Sequence, residues 1–293
     1  MFTPWVCFKV KRRGSCKKRI NVQIDMAILS KIKLTTCLMF LIVVLWSFCV
    51  EAGGGVLVSS GGSWKELEPG LEYRRVVLER GGDKGSMEQV RFDLQRWKLA
   101  LCRGEDYGVK TISLSEMRRR KEGVVAINGM FFDEKYKPLG YLQQNGRVLN
   151  DYICPAGGLL SGVFTVCNRQ ANLTYADDFY PFPCELAFQS GPRLVVNSQP
   201  NSGLRGERER LSGLAKDGRG RLILYCNDYS CPLTLRECAE LLVRPENEGG
   251  VAPLWALNLD GGSSSGISIK TAGYRCEHPS LLSVPVGLVV KRR

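Results

Sequence analysis

Residues 256–266, ALNLDGGSSSG, place one acid directly after an apolar run and before two glycines and three serines. Residues 253–259 are bounded by a proline on one side and by a Gly/Ser turn on the other, which is typical of a short strand. Asp260 therefore stands at the end of that strand. Because Gly261 and Gly262 permit sharp turns and a close backbone approach, the loop can offer N–H groups to a ligand. On local pattern alone, a polar hairpin loop is an equal alternative.

The first fifty residues have the pattern of a secretory leader. Residues 34–50 form a nearly uncharged run after two lysines, and a cleavage point with small residues follows at Ala52. The run is short for a membrane span, so cleavage after Ala52 is favoured over a retained anchor. Met26 begins a conventional signal peptide by itself, which gives the hypothesis that translation starts there and not at Met1. The predicted product is secreted, periplasmic or in the lumen of the secretory pathway.

The net charge of the chain depends on this leader. Nine Lys/Arg and two Asp/Glu lie in residues 1–52, so removing them lowers the net charge from +12 to +5. Because much of the basic excess belongs to the leader, the sequence does not favour a nucleic-acid partner. Contact with a membrane is expected only through an uncleaved leader, and the oligomeric state is left open. The 44% of hydrophobic residues is ample for a buried core.

Cysteine usage fits an oxidising compartment. Eight of the twelve cysteines follow residue 52, and in an exported protein an even number predicts disulfides, whose pairing the sequence leaves open. No Cys-x-x-Cys pair occurs and His278 is the single histidine, so a zinc site built from Cys and His is not predicted. His278 is interpreted as a surface turn residue. The eight cysteines are Cys102, Cys154, Cys167, Cys184, Cys226, Cys231, Cys238 and Cys276.

Strand patterns outnumber helix patterns after the leader. Asn145-Gly146 predicts a hairpin turn, and Ser113 and Thr234, each with a Glu three residues on, mark the starts of two helices. The second helix is predicted over residues 234–244. Strands are predicted at residues 73–78, 89–94, 97–101, 124–127, 163–166 and 222–226.

The order of these elements predicts an α+β fold, a single domain with mixed, strand-rich sheets and a few helices. No internal repeat and no low-complexity linker divides the chain after the leader. Residues 1–52 are assigned to the leader, residues 53–87 to an N-terminal extension and first strand, and residues 88–293 to the main domain.

Three segments in order carry a resemblance to a known family: AINGMFFD (126–133), FQSGPRLV (188–195) and ALNLDGGSSSG (256–266). Together they resemble the phosphodiester glycosidase family over about residues 88–290. Two positions depart from the family pattern. Ser263 stands where a third glycine is usual, and the family's arginine corresponds either to Arg210 or to Arg208.

The resemblance implies cleavage of a sugar from a phosphodiester at the anomeric carbon. A carboxylate must then activate water or attack that carbon, while phosphate is already a good leaving group. Asp260 is the first candidate for this role, and Asp133 is the second, as an acid/base or as the holder of a cation. The candidate substrate-binding residues are Asn128, Gly129, Gln189, Arg193, Arg210, Gly261, Gly262 and Ser263.

Other interpretations of these residues stay open at this point. Each polar candidate could instead cap a turn or satisfy backbone at a strand end. A non-catalytic module that binds glycan phosphate and a cation-dependent phosphodiesterase, with Asp133 and Asp260 as metal ligands, are the rival functions. The sequence requires no cofactor, although a divalent cation is compatible with it. The expected partner is a sugar-phosphate or glycan substrate.

Overall fold

The computed structural model describes residues 57–293. The predicted signal peptide, its cleavage point at Ala52 and the hypothetical start at Met26 lie outside the described residues. Within them, no helix has the length and apolar character needed to cross a membrane. The eight cysteines that follow the leader are all free here, so the structure shows none of the predicted disulfides.

Strands dominate residues 57–293. In chain order they are β1 (Leu57–Ser60), β2 (Lys65–Glu68), β3 (Leu71–Arg80), β4 (Asp83–Phe92), β5 (Trp97–Arg103), β6 (Val125–Asn128), β7 (Leu142–Gln144), β8 (Arg147–Asn150), β9 (Gly162–Cys167), β10 (Gln170–Tyr175), β11 (Leu186–Ser190), β12 (Arg193–Val196), β13 (Gln199–Pro200), β14 (Ser212–Asp217), β15 (Leu222–Asn227), β16 (Pro253–Asn258), β17 (Ile267–Lys270), β18 (Arg275–His278) and β19 (Val286–Arg292). The α-helices of the same residues are α1 (Leu114–Arg120) and α2 (Leu235–Val243).

Over residues 57–293 these strands form three antiparallel sheets. The large sheet has the order β1-β3-β4-β15-β14-β16-β12-β13, with β2 paired to β3. A second sheet has the order β10-β9-β11-β7-β8, and a third has the order β18-β17-β6-β19-β5. Strands distant in the chain therefore lie side by side, as β16 does between β14 and β12.

The main hydrophobic core lies where the three sheets meet. Phe92 and Leu257 of the large sheet, Phe164 and Phe188 of the second, and Ile127 of the third belong to one buried cluster. Burying large aromatic and aliphatic side chains of this kind contributes about 1.5–3 kcal/mol each. Helix α2 covers the other face of the large sheet, and α1 covers the other face of the third sheet.

Local sequence signals are confirmed at the helix starts and at the hairpin. Ser113 caps α1 by accepting a hydrogen bond from the Glu116 N–H, and Thr234 and Glu237 form a capping box at α2. The β7–β8 hairpin turns at Asn145-Gly146, where both residues have positive φ. Residues 57–68, predicted as part of an extension, contribute β1 and β2 to the edge of the large sheet.

The predicted fold class needs one correction. In the described residues strand accounts for 45% and helix for 12%, so the chain is more β-rich than the α+β class implies. The pairings between these strands are antiparallel, so the sheets are not mixed. The physical reason is that the two short helices only cover outer faces of sheets, while the main core cluster consists mostly of strand residues and contains no residue of either helix.

Candidate active site

The three sequence motifs meet at the end of β16. Asn128, which ends β6, donates a hydrogen bond from Nδ2 to the Asp260 carbonyl at 2.7 Å. The next residue, Gly129, accepts the Asp260 N–H at 3.1 Å. From the second motif, Ser190 Oγ donates to the Asn258 carbonyl at 2.9 Å. The position of Asp260 after a strand end is thus fixed from two sides by segments far away in the chain.

Asn128 is the centre of this arrangement. Its side chain is fully buried, and Oδ1 accepts hydrogen bonds from Ser212 Oγ at 2.8 Å and from the Gly266 N–H at 3.1 Å. With Nδ2 bonded to the Asp260 carbonyl, both ends of the amide are engaged inside the protein. In this structure Asn128 holds the Asp260–Gly266 loop in place.

Position 129 requires a glycine because its backbone packs closely against the backbone of β19. A Cβ at this position would lie 2.9 Å from the Val286 carbonyl oxygen, and the Gly129 N–H donates to that oxygen at 3.0 Å. A side chain would force β19 and the first motif apart, and the hydrogen bond to Asp260 would be lost with it.

The Asp260 carboxyl group is partly buried in its own loop. Burial raises its pKa, the Ser264 hydroxyl and the Gly261 N–H lower it by donating hydrogen bonds, and the negative charge of Glu209 raises it further. The net effect is a carboxyl with a raised pKa. A carboxyl of this kind can exchange protons nearer to neutral pH than an ordinary Asp can.

Glu209 is the second carboxylate that the structure places at this loop. A Cβ on Gly261 would lie 3.0 Å from Glu209 Oε2, and a Cβ on Gly262 would lie 3.3 Å from the same oxygen. Reciprocal backbone hydrogen bonds to Leu233 hold Glu209 in position. Although the residue is exposed overall, partial burial raises the pKa of the Glu209 carboxyl.

Sequence reasoning missed Glu209. In the chain it stands between Arg208 and Arg210, which gives the pattern of a solvated charged segment. Only the pairing of residues 209–217 with distant strands brings it to the Asp260 loop.

The two glycines after Asp260 have different roles. Gly262 has φ +58, in the left-handed region that favours glycine, whereas Gly261 is extended and leaves room for Glu209. The Gly261 N–H bonds to the Asp260 carboxyl and the Gly262 N–H donates to the Arg210 carbonyl. Ser263 is exposed, and its carbonyl accepts the N–H groups of Leu281 and Leu282.

Arg210 is buried against the loop. Its guanidinium donates to three backbone carbonyls, those of Asn227, His278 and Pro279, at 2.7–3.1 Å. It also lies 4.5 Å from the ring centre of Tyr229, whose hydroxyl donates to the Gly262 carbonyl. Arg210 therefore fixes the surroundings of the loop, and Tyr229 leaves an exposed aromatic ring at its edge.

Arg193 lies in a different groove. The cavity has a volume of about 570 Å³ and includes Tyr175, Asp178 and Trp255 among its lining residues. The guanidinium stacks 4.3 Å from the Tyr175 ring centre, and the buried Nε has no hydrogen-bond partner among the described residues. Burial lowers the pKa of Arg193. Its backbone pairs with Leu257, three residues before Asp260, which corresponds to about 10 Å along a strand.

Gln189 and Asp133 hold loops in this structure. Gln189 is fully buried and bonds the backbone of Tyr141, Cys154 and Leu160 through both ends of its amide. Asp133 Oδ1 accepts the N–H groups of Lys135 and Lys137, each at 2.8 Å, and so closes a turn. Within residues 57–293, no described contact joins either side chain to the Asp260 carboxyl.

The convergence of the three motifs agrees with comparison to known proteins. The sequence model of the phosphodiester glycosidase family matches residues 121–291, which is more than half of the chain. This chain belongs to the phosphodiester glycosidase family. The matched region contains Asn128, Glu209 and Asp260, so the site described above lies within the family domain. Phosphodiester glycosidases are hydrolases, so membership of the family assigns this chain to that enzyme class.

Solved structures share the fold. The zebrafish N-acetylglucosamine-1-phosphodiester alpha-N-acetylglucosaminidase catalytic domain, auto-inhibited by its pro-peptide, matches with a TM-score of 0.56 and 15% identity, over 82% of this chain and 89% of that one. A hypothetical protein from Synechocystis matches with a TM-score of 0.54 and 16% identity, over 82% and 68%. A candidate exported protein from Burkholderia pseudomallei matches with a TM-score of 0.52 and 12% identity, over 71% and 74%. Among curated protein sequences, none matches this chain significantly.

Proposed function

We propose that this chain is an exported hydrolase that cleaves a sugar from a sugar-1-phosphodiester of a glycan or glycopolymer. The bond broken joins the anomeric carbon to the phosphate oxygen. Water supplies the new hydroxyl of the sugar, and the phosphate leaves as a monoester on its former partner. The observation that carries the proposal is the pair of carboxyl groups, Asp260 and Glu209, with raised pKa values at one glycine-rich loop.

The two acids fit complementary roles. Asp260 is the more enclosed of the two and is oriented by Ser264 and Gly261, so it suits a group that must approach the anomeric carbon in one geometry. Ionised Asp260 would attack that carbon or take a proton from water. Glu209 is exposed and partly desolvated, so its protonated form can donate to the leaving phosphate oxygen. For Asp133 the role of acid/base or cation holder is still a proposal, and its carboxylate closes a turn in this structure.

Arg193 has fewer partners within the protein than Arg210, but it lies in a groove separate from the Asp260 loop, so its phosphate-binding role is a proposal for a part of the substrate that extends into that groove. Arg210 donates to three carbonyls, whereas Arg193 has a buried Nε with no hydrogen-bond partner and no ion pair among the described residues. An arginine without a carboxylate partner can bind a phosphate oxygen by charge-assisted hydrogen bonds. The exposed ring of Tyr229 can pack against a sugar at the edge of the Asp260 loop.

Export is proposed on two grounds. The predicted signal peptide precedes the described residues, and one solved structure of similar fold is a candidate exported protein. The first substrate to test carries N-acetylglucosamine, because the zebrafish structure of similar fold is a glycosidase of that sugar-1-phosphodiester. The purified chain is expected to release free sugar from it or from another sugar-1-phosphodiester of a panel. Binding of every substrate without turnover would favour the non-catalytic module instead.

Replacing Glu209 by Gln tests the proposed pair through the pH profile of kcat/KM. We expect kcat to fall at least about tenfold, less than the usual loss of a general acid because phosphate leaves easily. We also expect the acid limb of the profile to move to lower pH. The negative charge of Glu209 raises the pKa of Asp260, so a neutral side chain lets Asp260 ionise at lower pH.

The matched control is Glu207→Gln, which removes one charge at an exposed position two residues away. It should leave both kcat and the acid limb as in the wild type. If Glu209→Gln also leaves the acid limb unmoved, the two carboxyl groups do not act as a pair.

A further inference from the structure

Three potential metal ligands of different types meet between the large sheet and β18. The carboxylate of Glu88, the thiol of Cys276 and the imidazole of His278 lie within 4.8 Å of one another. Glu88 lies on β4, while Cys276 and His278 are two residues apart and so share one face of β18. The interpretation of His278 as a surface turn residue is therefore wrong: it ends a strand, with 24% of its side chain exposed.

The distances suit a tetrahedral site after small side-chain rotations. With bonds of 2.0–2.3 Å, two ligand atoms on a tetrahedral Zn²⁺ are about 3.5 Å apart. His278 Nε2 is already 3.2 Å from Glu88 Oε1. The second carboxylate oxygen, Oε2, accepts a hydrogen bond from the Tyr73 hydroxyl, and Oε1 accepts one from Ser86 Oγ at 3.0 Å, so the carboxylate is oriented with Oε1 toward the histidine.

Charge balance permits a dication at this position. Glu88 is 99% buried, so its charge must be compensated inside the protein. Two cations provide this at present. Arg75 lies with Nε 2.8 Å from Glu88 Oε1 and Nη2 3.8 Å from Cys276 Sγ, and hydrogen bonds to Cys276 and Glu88 raise the pKa of His278 to about 9. A thiolate, a carboxylate and a neutral imidazole together balance a divalent cation without the arginine. Half of the Arg75 side chain is exposed, so it can turn into solvent.

We propose that Glu88, Cys276 and His278 form a binding site for a thiolate-preferring divalent cation of the Zn²⁺ class. Thiolate and imidazole ligands select Zn²⁺ over Mg²⁺ and Ca²⁺, which prefer sites made of oxygen atoms alone. The cation joins the edge strand β18 to β4 of the large sheet. The Arg210 guanidinium bonds the His278 and Pro279 carbonyls just beyond, so this junction also supports the surroundings of the Asp260 loop.

The site is tested with the purified chain after treatment with a chelator. Co²⁺ should give a thiolate-to-metal absorption band, and Zn²⁺ should raise the melting temperature and compete for the Co²⁺ signal, whereas Mg²⁺ and Ca²⁺ should do neither. Cys276→Ala and His278→Ala should each abolish the band. Arg75→Gln should tighten Zn²⁺ binding about tenfold, because it removes a positive charge that repels the cation at close range.

Cys102→Ser is the matched control, since Cys102 is a buried strand cysteine in another cluster. It should leave the cobalt band unchanged. His278→Ala changes a partly exposed side chain and is expected to fold even if Cys276→Ala does not. The proposal is overturned if wild-type protein shows no thiolate–cobalt band, if His278→Ala keeps it, or if Arg75→Gln weakens Zn²⁺ binding.

Discussion

The Asp260→Asn variant is expected to hydrolyse a sugar-1-phosphodiester at least about a hundredfold more slowly than the wild type. Asparagine keeps the shape of the side chain but can neither attack the anomeric carbon as a carboxylate nor accept a proton from water. The loss should appear in kcat, because the group acts on the reacting bond. Steady-state kinetics on the best substrate of the panel measures it.

The same variant should be at least as stable as the wild type. Burial raises the pKa of Asp260, so above that pKa the ionised carboxylate is less favourable in the folded chain than in the unfolded chain. A neutral amide removes this cost. The cost is fully present above the pKa of Asp260 in the folded chain, and it is lost as the pH falls through that value toward the pKa of the unfolded chain. Asp83→Asn, at an exposed position at the start of β4, controls for the lost charge. A folded Asp260→Asn protein with wild-type kcat contradicts the assignment.

The Asn128→Ala variant is expected to lose about 3 kcal/mol of unfolding free energy and most of its activity. The Gly266 N–H loses its acceptor, and the Asp260 carbonyl and the Ser212 hydroxyl each lose one partner in a buried place. The Asp260 loop then has no fixed anchor on β6. Chemical denaturation measures the loss of stability, and kinetics below the melting temperature measures the loss of activity.

An exposed asparagine provides the comparison for this variant. Asn247→Ala changes a side chain outside the site and should alter stability by less than about 0.5 kcal/mol. If Asn128→Ala is as stable and as active as Asn247→Ala, the hydrogen bonds around Asn128 do not hold the loop.

The parts of the fold that could be predicted are those decided by neighbouring residues. The Asn145-Gly146 turn and the Thr234 capping box depend on backbone angles and hydrogen bonds within four residues, so local sequence determines them. Strand order depends on contacts between distant segments. Nothing near β16 in the chain indicates that β14 and β12 lie on its two sides.

The site shows the same division. Asp260 could be located at a strand end because proline, apolar residues and glycines mark that end locally. An amide side chain at a strand end, however, looks the same in sequence whether it binds a ligand or holds a loop, and Asn128 and Gln189 hold loops here. The position of Glu209 beside the Asp260 loop and that of Glu88 beside His278 result from long-range packing, which has no local signature in the sequence.

Hydrolysis in ¹⁸O-labelled water tests the central claim most directly. If this chain cleaves between the anomeric carbon and the phosphate oxygen, one ¹⁸O atom enters the released sugar and none enters the phosphate monoester. The label can be followed by mass spectrometry of both products, with the Asp260→Asn protein as a background control. Label found in the phosphate would show cleavage of the P–O bond and would contradict the account.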